Sequence, residues 1–285
     1  MSVARVAALV YYPVKGLSAV PVEQAELGPA GLIGDRSFML VEPDGSFLSQ
    51  RSLPAMATVQ AQLSGDVLRL TAPGAPDLDV PIQYDGKRRD VSLFNKWFGQ
   101  GVAQDPAADE WLSTLLGRPA GLVRVTPEHE RPGWGVHRGE TGFGDAHALM
   151  ITSLSSLDGL NERIVSRGGE AIPMNRFRPN IVVSGWPEPH TEDRVLRMSI
   201  GSVEIGYSAR SIRCAVPTID QATGRKTGPE PTRTLASYRR EPTYGGGVSF
   251  GMKAAVLTSG TITVGDEILV QEWIPAGTDP AQPAG

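Results

Sequence analysis

The chain's only thiol, Cys214, stands in the run Ser211-Ile212-Arg213-Cys214-Ala215-Val216-Pro217-Thr218-Ile219-Asp220-Gln221-Ala222-Thr223-Gly224. One guanidinium is its direct neighbour, and hydroxyl and carboxylate groups follow. A cation beside a thiol favours the form that binds soft metals or attacks an electrophile. The plain alternative is a buried cysteine acting as a small hydrophobe, the usual state of an isolated thiol, and local spacing alone leaves that reading standing. One cysteine forms no internal disulfide and cannot supply the four thiolates of an ordinary iron–sulfur cluster. The expected compartment is therefore the reducing cytosol.

A second segment, Met174-Asn175-Arg176-Phe177-Arg178-Pro179-Asn180-Ile181-Val182-Val183, sets two arginines and two asparagines directly before an apolar strand. Pro179 is expected to keep Arg178 extended, aiming its side chain into a site at the strand mouth. An arginine paired with a surface carboxylate is the competing reading, and this segment alone decides neither.

Other searches for chemistry return little. The sequence holds no Walker-type phosphate loop, no Gly-x-Ser-x-Gly elbow and no His-Glu-x-x-His pair. His129, His137, His147 and His190 are scattered, which disfavours zinc. Glu128 and Glu130 around His129 read as a solvated turn. The net charge of -4 is spread without a basic block, so no nucleic-acid partner is expected, and no apolar run is long enough for a membrane span.

The elements that must carry these residues are mostly strands. With 33 glycines and 23 prolines in 285 residues, and helical periodicity in only a few places, many short strands joined by turns are predicted. The expected strands are Val3 to Tyr12, Glu23 to Leu27, Ser37 to Glu42, Met56 to Leu63, Val67 to Ala72, Leu122 to Val125, Asn180 to Val183, Val195 to Ile200, Val203 to Tyr207, Lys253 to Leu257 and Thr261 to Val270. Pro43-Asp44-Gly45 reads as a hairpin tip. Helices are predicted over Pro106 to Leu116, with Trp111, Leu112, Leu115 and Leu116 on one face, and over Ser153 to Arg167, capped by Thr152 or Ser153 and stopped at Gly168-Gly169. Pro127 to Gly144 reads as a long loop of the kind that carries function.

Together with Tyr12-Pro13-Val14-Lys15-Gly16, Gly34-Asp35-Arg36 and the closing Gly260-Thr261-Ile262-Thr263-Val264-Gly265-Asp266, the two segments resemble the MOSC-domain family. The likeness is to the branch of the mitochondrial amidoxime-reducing component and its bacterial relatives, and it runs over nearly the whole chain. It implies a β-rich fold with few helices, an N-terminal β-barrel-like domain followed by a MOSC β-barrel domain; the helix end near Gly117 sets their expected bounds at 1–118 and 119–274, and the Pro-, Ala- and Gly-rich composition of 275–285 makes it an expected flexible tail. The likeness also implies a molybdenum-pterin (the molybdenum cofactor) held between the domains, with Cys214 as metal ligand and Lys15, Arg36, Arg178 and Asn180 holding the pterin and its phosphate. Arg51, Ser153, Arg213 and Thr218 are weaker carry-overs to the cofactor. His147 and Asp220 are candidates to pass a proton, Asp220 fitting better as a brace for its loop. Gly16 stands where several relatives have serine. Asp145-Ala146-His147-Ala148 replaces a stretch that often carries an aromatic and a proline.

The implied activity is reduction of small N-hydroxylated compounds (hydroxylamines, amidoximes, N-hydroxylated bases). Electrons would come from a separate protein: cytochrome b5-like, ferredoxin-like or a flavin reductase. Two alternatives stay open: a carrier of the cofactor or of a persulfide on Cys214, and a metal-free fold in which Cys214 is inert.

Overall fold

Turn chemistry and short apolar runs dominate the sequence, and the chain folds mainly into strands. The structure, a computed structural model, describes residues 3–275, 278 and 280. The expected tail, 275–285, lies largely outside the described residues.

The largest sheet runs in the order Ile268–Trp273, Val195–Ile200, Val203–Arg213, Gly247–Thr258, Leu149–Ser153, Ile181–Ser184, Arg5–Tyr11 and Val20–Val22. Its one parallel pair is Leu149–Ser153 with Ile181–Ser184. Helix Leu154–Val165 lies in the connection between these two strands, because parallel neighbours need a long crossover. A second sheet runs Arg88–Leu93, Trp97–Ala103, Gly121–Val125, Phe38–Val41 and Val14–Lys15. Both follow open hydrogen-bonded paths, so the barrels expected of the two halves are open sheets.

The halves interleave. Arg5–Tyr11 pairs with Ile181–Ser184 of the larger sheet, while Gly121–Val125 pairs with Phe38–Val41 of the smaller one. Gly121–Val125, just past the expected division at 118/119, thus joins the smaller sheet. Only Tyr12 and Pro13 separate Arg5–Tyr11 from Val14–Lys15, so this dipeptide passes the chain from one sheet to the other. Each sheet closes over its own apolar cluster, one around Leu9, Ile151, Ile205 and Met252 and the other around Val14, Phe38, Leu68 and Leu112.

Both predicted helices form. Pro106–Leu116 is capped by Asp105, which accepts from Ala107 N at 2.8 Å, and stops at Gly117 with φ 66°. It buries Leu112 and Leu116, whereas Trp111 lies at the edge and donates Nε1–H to Pro76 O at 2.7 Å. Leu154–Val165 starts on a Ser153 cap and ends two residues before the predicted Arg167.

Several strands depart from their predicted bounds for local reasons. Met56 to Leu63 splits into a single turn at Pro54–Thr58, begun by the proline, and a strand at Gln60–Ser64. Val203 to Tyr207 extends to Arg213 because small hydroxyl residues, Ser208 and Ser211, are fully buried where apolar alternation would show. Thr261 to Val270 breaks into Gly260–Thr263 and Ile268–Trp273 around Gly265, whose φ is 94°. Arg88–Leu93, Trp97–Ala103 and Leu149–Ser153 are strands beyond those expected from the sequence. The loop over 127–144 is without helix or strand, as expected.

Candidate functional site

The junction of the two sheets opens into a cavity of about 280 Å³, far more than a bare ion needs and of the size of a small organic group. From the smaller sheet and its loops come Lys15, Arg36, Arg51, Phe47 and Phe94; from the larger come Arg178, Asn180, Arg210, Arg213, Cys214 and Lys253. His147 lines it from the long central connection. Seven lysines and arginines face the cavity against one carboxylate, Asp145, although the whole chain carries a net charge of -4. Such a concentration of one sign selects an anionic ligand.

Cys214 follows the last residue of Val203–Arg213 and precedes the short turn Val216–Thr218. Its side chain is exposed on the cavity wall, so it is not a core hydrophobe. Arg213 is held beside it by donating to Ser211 Oγ at 2.8 Å and Phe177 O at 2.8 Å. The turn is braced from behind by Asp220, which accepts from Thr223 N at 2.8 Å and pairs with Arg176 at 3.2 Å. Arg176 also donates to Thr227 Oγ1 at 2.9 Å. Thr218 Oγ1 donates to Ala215 O at 2.8 Å, closing the turn.

Three candidates thus fall away from the cavity wall. Asp220 and Thr218 fold the thiol's loop. Ser153 is buried as a helix cap and donates to Glu192 Oε2 at 2.8 Å, with its hydroxyl committed to the protein. Hydroxyls and carboxylates at turns and helix starts are commonly consumed by backbone N–H groups in this way.

Arg178 is not extended. It takes φ 56°, ψ 50°, because its N–H closes the Met174–Phe177 turn on Asn175 O at 3.1 Å, and this overrides the usual bias before proline. The guanidinium therefore lies 4.2 Å from the Tyr12 ring centroid, as does that of Arg36. One buried ring carries both cations. Arg36 donates to Asn180 Oδ1 at 3.0 Å and pairs with Asp35. Asn180 also accepts from Met150 N at 3.1 Å and donates to Val10 O at 3.2 Å, so its amide acts mainly to hold the wall together. Arg178 donates to Gln221 Oε1 at 3.1 Å and has no carboxylate partner among the described residues. Burial lowers it to about 10, still a cation at neutral pH.

Lys15 is buried and paired with Asp145. Burial lowers the lysine, and Asp145 opposes that shift. Burial alone would raise Asp145, but Lys15 and Lys253 outweigh it and hold the carboxyl far below the usual range. Asp145 faces the open cavity, so its side chain keeps 60% exposure although protein surrounds it. His147 is lowered to about 3 by burial and by Lys253. It is neutral above that pH, with Nε2 placed 2.9 Å from Trp134 O. The neutral ring donates Nε2–H to that carbonyl, leaves Nδ1 buried, and carries no proton to give up as imidazolium.

Sequence reasoning passes over Lys253, Tyr12 as a platform, and the rings of Phe47, Phe94 and Trp134. Lys253 leaves one signal: it is the lone charge inside the apolar run Val248 to Leu257. Burial, then Arg213, lowers it from the usual 10.5 to about 8. Because the unfolded chain keeps this proton up to higher pH than the native one, stability should rise with pH between about 8 and 10.5. Lys253→Met is expected to stabilise the ligand-free protein at pH 7 by on the order of 2 kcal/mol and to remove that rise. Urea midpoints across this range test it, and equal slopes in the two proteins would refute it.

The fold and this cavity define a β-rich protein whose sheets meet around a cationic pocket bearing one thiol. Residues 3–119 match the MOSC N-terminal beta barrel domain and residues 138–269 the MOSC domain. The chain belongs to the MOSC-domain family. It is 30% identical to human mitochondrial amidoxime-reducing component 1, over 93% of this chain and 82% of that protein. Rat mitochondrial amidoxime reducing component 2 is 31% identical, over 90% and 80% respectively. A molybdenum cofactor sulfurase of Danio rerio is 29% identical over 87% of this chain, which spans 31% of that protein.

Proposed function

We propose that the protein is a molybdenum-cofactor-dependent reductase of small N-hydroxylated compounds. The observation that carries this reading is the exposed thiol of Cys214 in a cavity that seven lysines and arginines also line. Among the described residues no three His, Cys, Asp or Glu side chains are grouped to hold a metal ion. A metal at Cys214 must therefore arrive with most of its ligands already attached, as in a pterin chelate. The seven cations fit the same group, whose phosphate and sulfurs are anionic, and a thiolate suits a soft, tunable metal site. The names of the amidoxime-reducing relatives support the substrate class.

In this reading Lys15, Arg36 and Arg178 hold the phosphate, Arg51 adds charge at the rim, and Arg213 keeps a cation next to Cys214. The cofactor, when bound, supplies the two-electron chemistry. The overall change is R–NHOH + 2 e⁻ + 2 H⁺ → R–NH₂ + H₂O, with both electrons from a separate protein of cytochrome b5-like, ferredoxin-like or flavin-reductase type. Lys253, near 8, is a better proton source than the distant Asp220 or His147, whose Nε2 faces the Trp134 carbonyl and whose Nδ1 is buried. The reducing cytosol is the proposed compartment, on the single thiol.

The exposed thiol and the sulfurase relative favour one second reading, a carrier of the cofactor or of a persulfide without turnover. Metal analysis of protein made in a cofactor-competent host, with turnover of a hydroxylamine on an artificial electron donor, tests both. The reductase reading expects about one molybdenum per chain and turnover. Metal with no turnover would favour the carrier, and absence of molybdenum would sink both metal-bearing readings.

A further inference from the structure

Two of the cavity's cations, buried Lys15 and exposed Arg51, meet rings contributed from distant parts of the chain. Phe94 sits at the tip of the hairpin Arg88–Leu93/Trp97–Ala103, where Leu93 pairs with Trp97 and Lys96 N–H bonds Leu93 O at 3.0 Å. Its φ is 57° and that of Asn95 is 53°. Asparagine tolerates this left-handed region, and Asn-Gly is the low-cost choice for such turns, whereas a bulky ring there is an outlier. Of the five non-glycine residues with positive φ among the described residues, Arg36, Phe94 and Arg178 all line this cavity. Backbone strain of this kind gathers where a site requires it.

What the strain secures is visible in the contacts of the ring. Phe94 packs edge-on against Phe47 with centroids 4.5 Å apart. Lys15 Nζ lies 5.3 Å from the Phe94 centroid and 5.4 Å from that of Phe47. The Arg51 guanidinium lies 5.1 and 5.8 Å from the same two rings. Apart from the rings, the Arg51 side chain meets only the Ser49 hydroxyl, at 3.3 Å, and no carboxylate among the described residues. An aromatic face attracts a cation through its quadrupole without cancelling its charge. A carboxylate in the same place would hold the cation equally well and spend it. Rings are thus the suitable support for Arg51, which must remain available to an anionic ligand, while Lys15 meets the same rings and is also paired with Asp145.

We infer that Phe94, seated on Phe47, is a positioning residue that directs Lys15 and Arg51 at the anionic part of the ligand. The inference rests on the reading of this cavity as the seat of a phosphate-bearing cofactor. A residue kept only to make the turn should be replaceable by glycine at no cost, since glycine suits that backbone best. A ring kept to hold cations should not.

The test uses the full chain and its Phe94→Tyr, Phe94→Leu and Phe94→Gly variants, made in a cofactor-competent host and dialysed. Molybdenum per chain, fluorescence of the released pterin and Tm are measured for each. Phe94→Leu and Phe94→Gly should each retain on the order of fivefold less cofactor, while Phe94→Tyr keeps the wild-type amount. The affinity of cofactor-free protein for inorganic phosphate, read by calorimetry, should fall in the same order. Wild-type retention by Phe94→Gly would overturn the inference and leave Phe94 a turn residue. Full retention with a rise only in KM for the N-hydroxylated substrate would overturn it in favour of a substrate contact. A wild-type protein that holds neither molybdenum nor phosphate would overturn the reading of the cavity itself, and this inference with it.

Discussion

Cys214→Ser is expected to lower turnover of an N-hydroxylated substrate by at least about 100-fold, the scale on which even the outer partners of metal ligands matter. A serine hydroxyl is a hard donor that stays protonated at neutral pH, so it replaces neither the softness nor the charge of a thiolate. The fold should be untouched, because the side chain is exposed and no hydrogen bond of the turn depends on it. Pterin content should also persist, since Lys15, Arg36 and Arg178 lie elsewhere on the wall. X-ray absorption at the molybdenum edge should lose one sulfur neighbour. Unchanged turnover and an unchanged sulfur count would show that the thiol does not ligate the metal.

The residues legible in the sequence are those whose roles follow from local order. Cys214, Arg213, Arg178, Asn180, Lys15 and Arg36 stand in short ordered motifs, and all six line one cavity. Helix Pro106–Leu116 is legible for a similar reason, because its cap, its apolar spacing and its stop lie within a short stretch of chain. Phe94 is not legible and Lys253 shows only as a lone charge in an apolar run: each is a single residue in a strand or turn, brought to the cavity by the pairing of distant strands. Ser153, Thr218 and Asp220 mislead in the opposite direction. Their side chains could serve a ligand, but nearby backbone groups and Glu192 claim them first. The interleaving of the halves is also hidden, since strand partners separated by about 170 positions leave no periodic trace.

Lys253 and Asp145 show how the wall is balanced. Of the seven cations, Lys15, Arg36 and Arg210 are paired with Asp145, Asp35 and Glu241, yet the whole set is costly without its ligand, and the lowering of Lys15, Arg178 and Lys253 by burial expresses that cost. Binding an anion relieves it. The folded protein should therefore gain stability from the cofactor beyond the contacts made, by mass action on a state already strained by its own charge.

Tyr12→Leu should be the most damaging single change to the architecture of the site. The ring is 1% exposed, lies in the two-residue link between the sheets, and faces the guanidinia of Arg36 and Arg178 at 4.2 Å each. Its hydroxyl donates to Pro179 O at 3.1 Å and its backbone N–H to Asp35 Oδ1 at 2.8 Å. Truncating a buried ring and removing two cation contacts should cost about 3–5 kcal/mol, seen as a lower urea midpoint. Tyr12→Phe removes only the hydroxyl bond and should cost about 1–2 kcal/mol, most of it from the Pro179 carbonyl left unpaired. Cofactor retention separates the ring from the hydroxyl. With the ring in place the two like charges are both held against it; without it their mutual repulsion drives them apart, and the phosphate loses a paired seat. Tyr12→Phe should thus keep its molybdenum and pterin while Tyr12→Leu loses most of both, even at a temperature where each variant remains folded. Equal losses in the two variants would mean that the hydroxyl, acting through the Pro179 carbonyl before Asn180, and not the ring, holds the two cations in place.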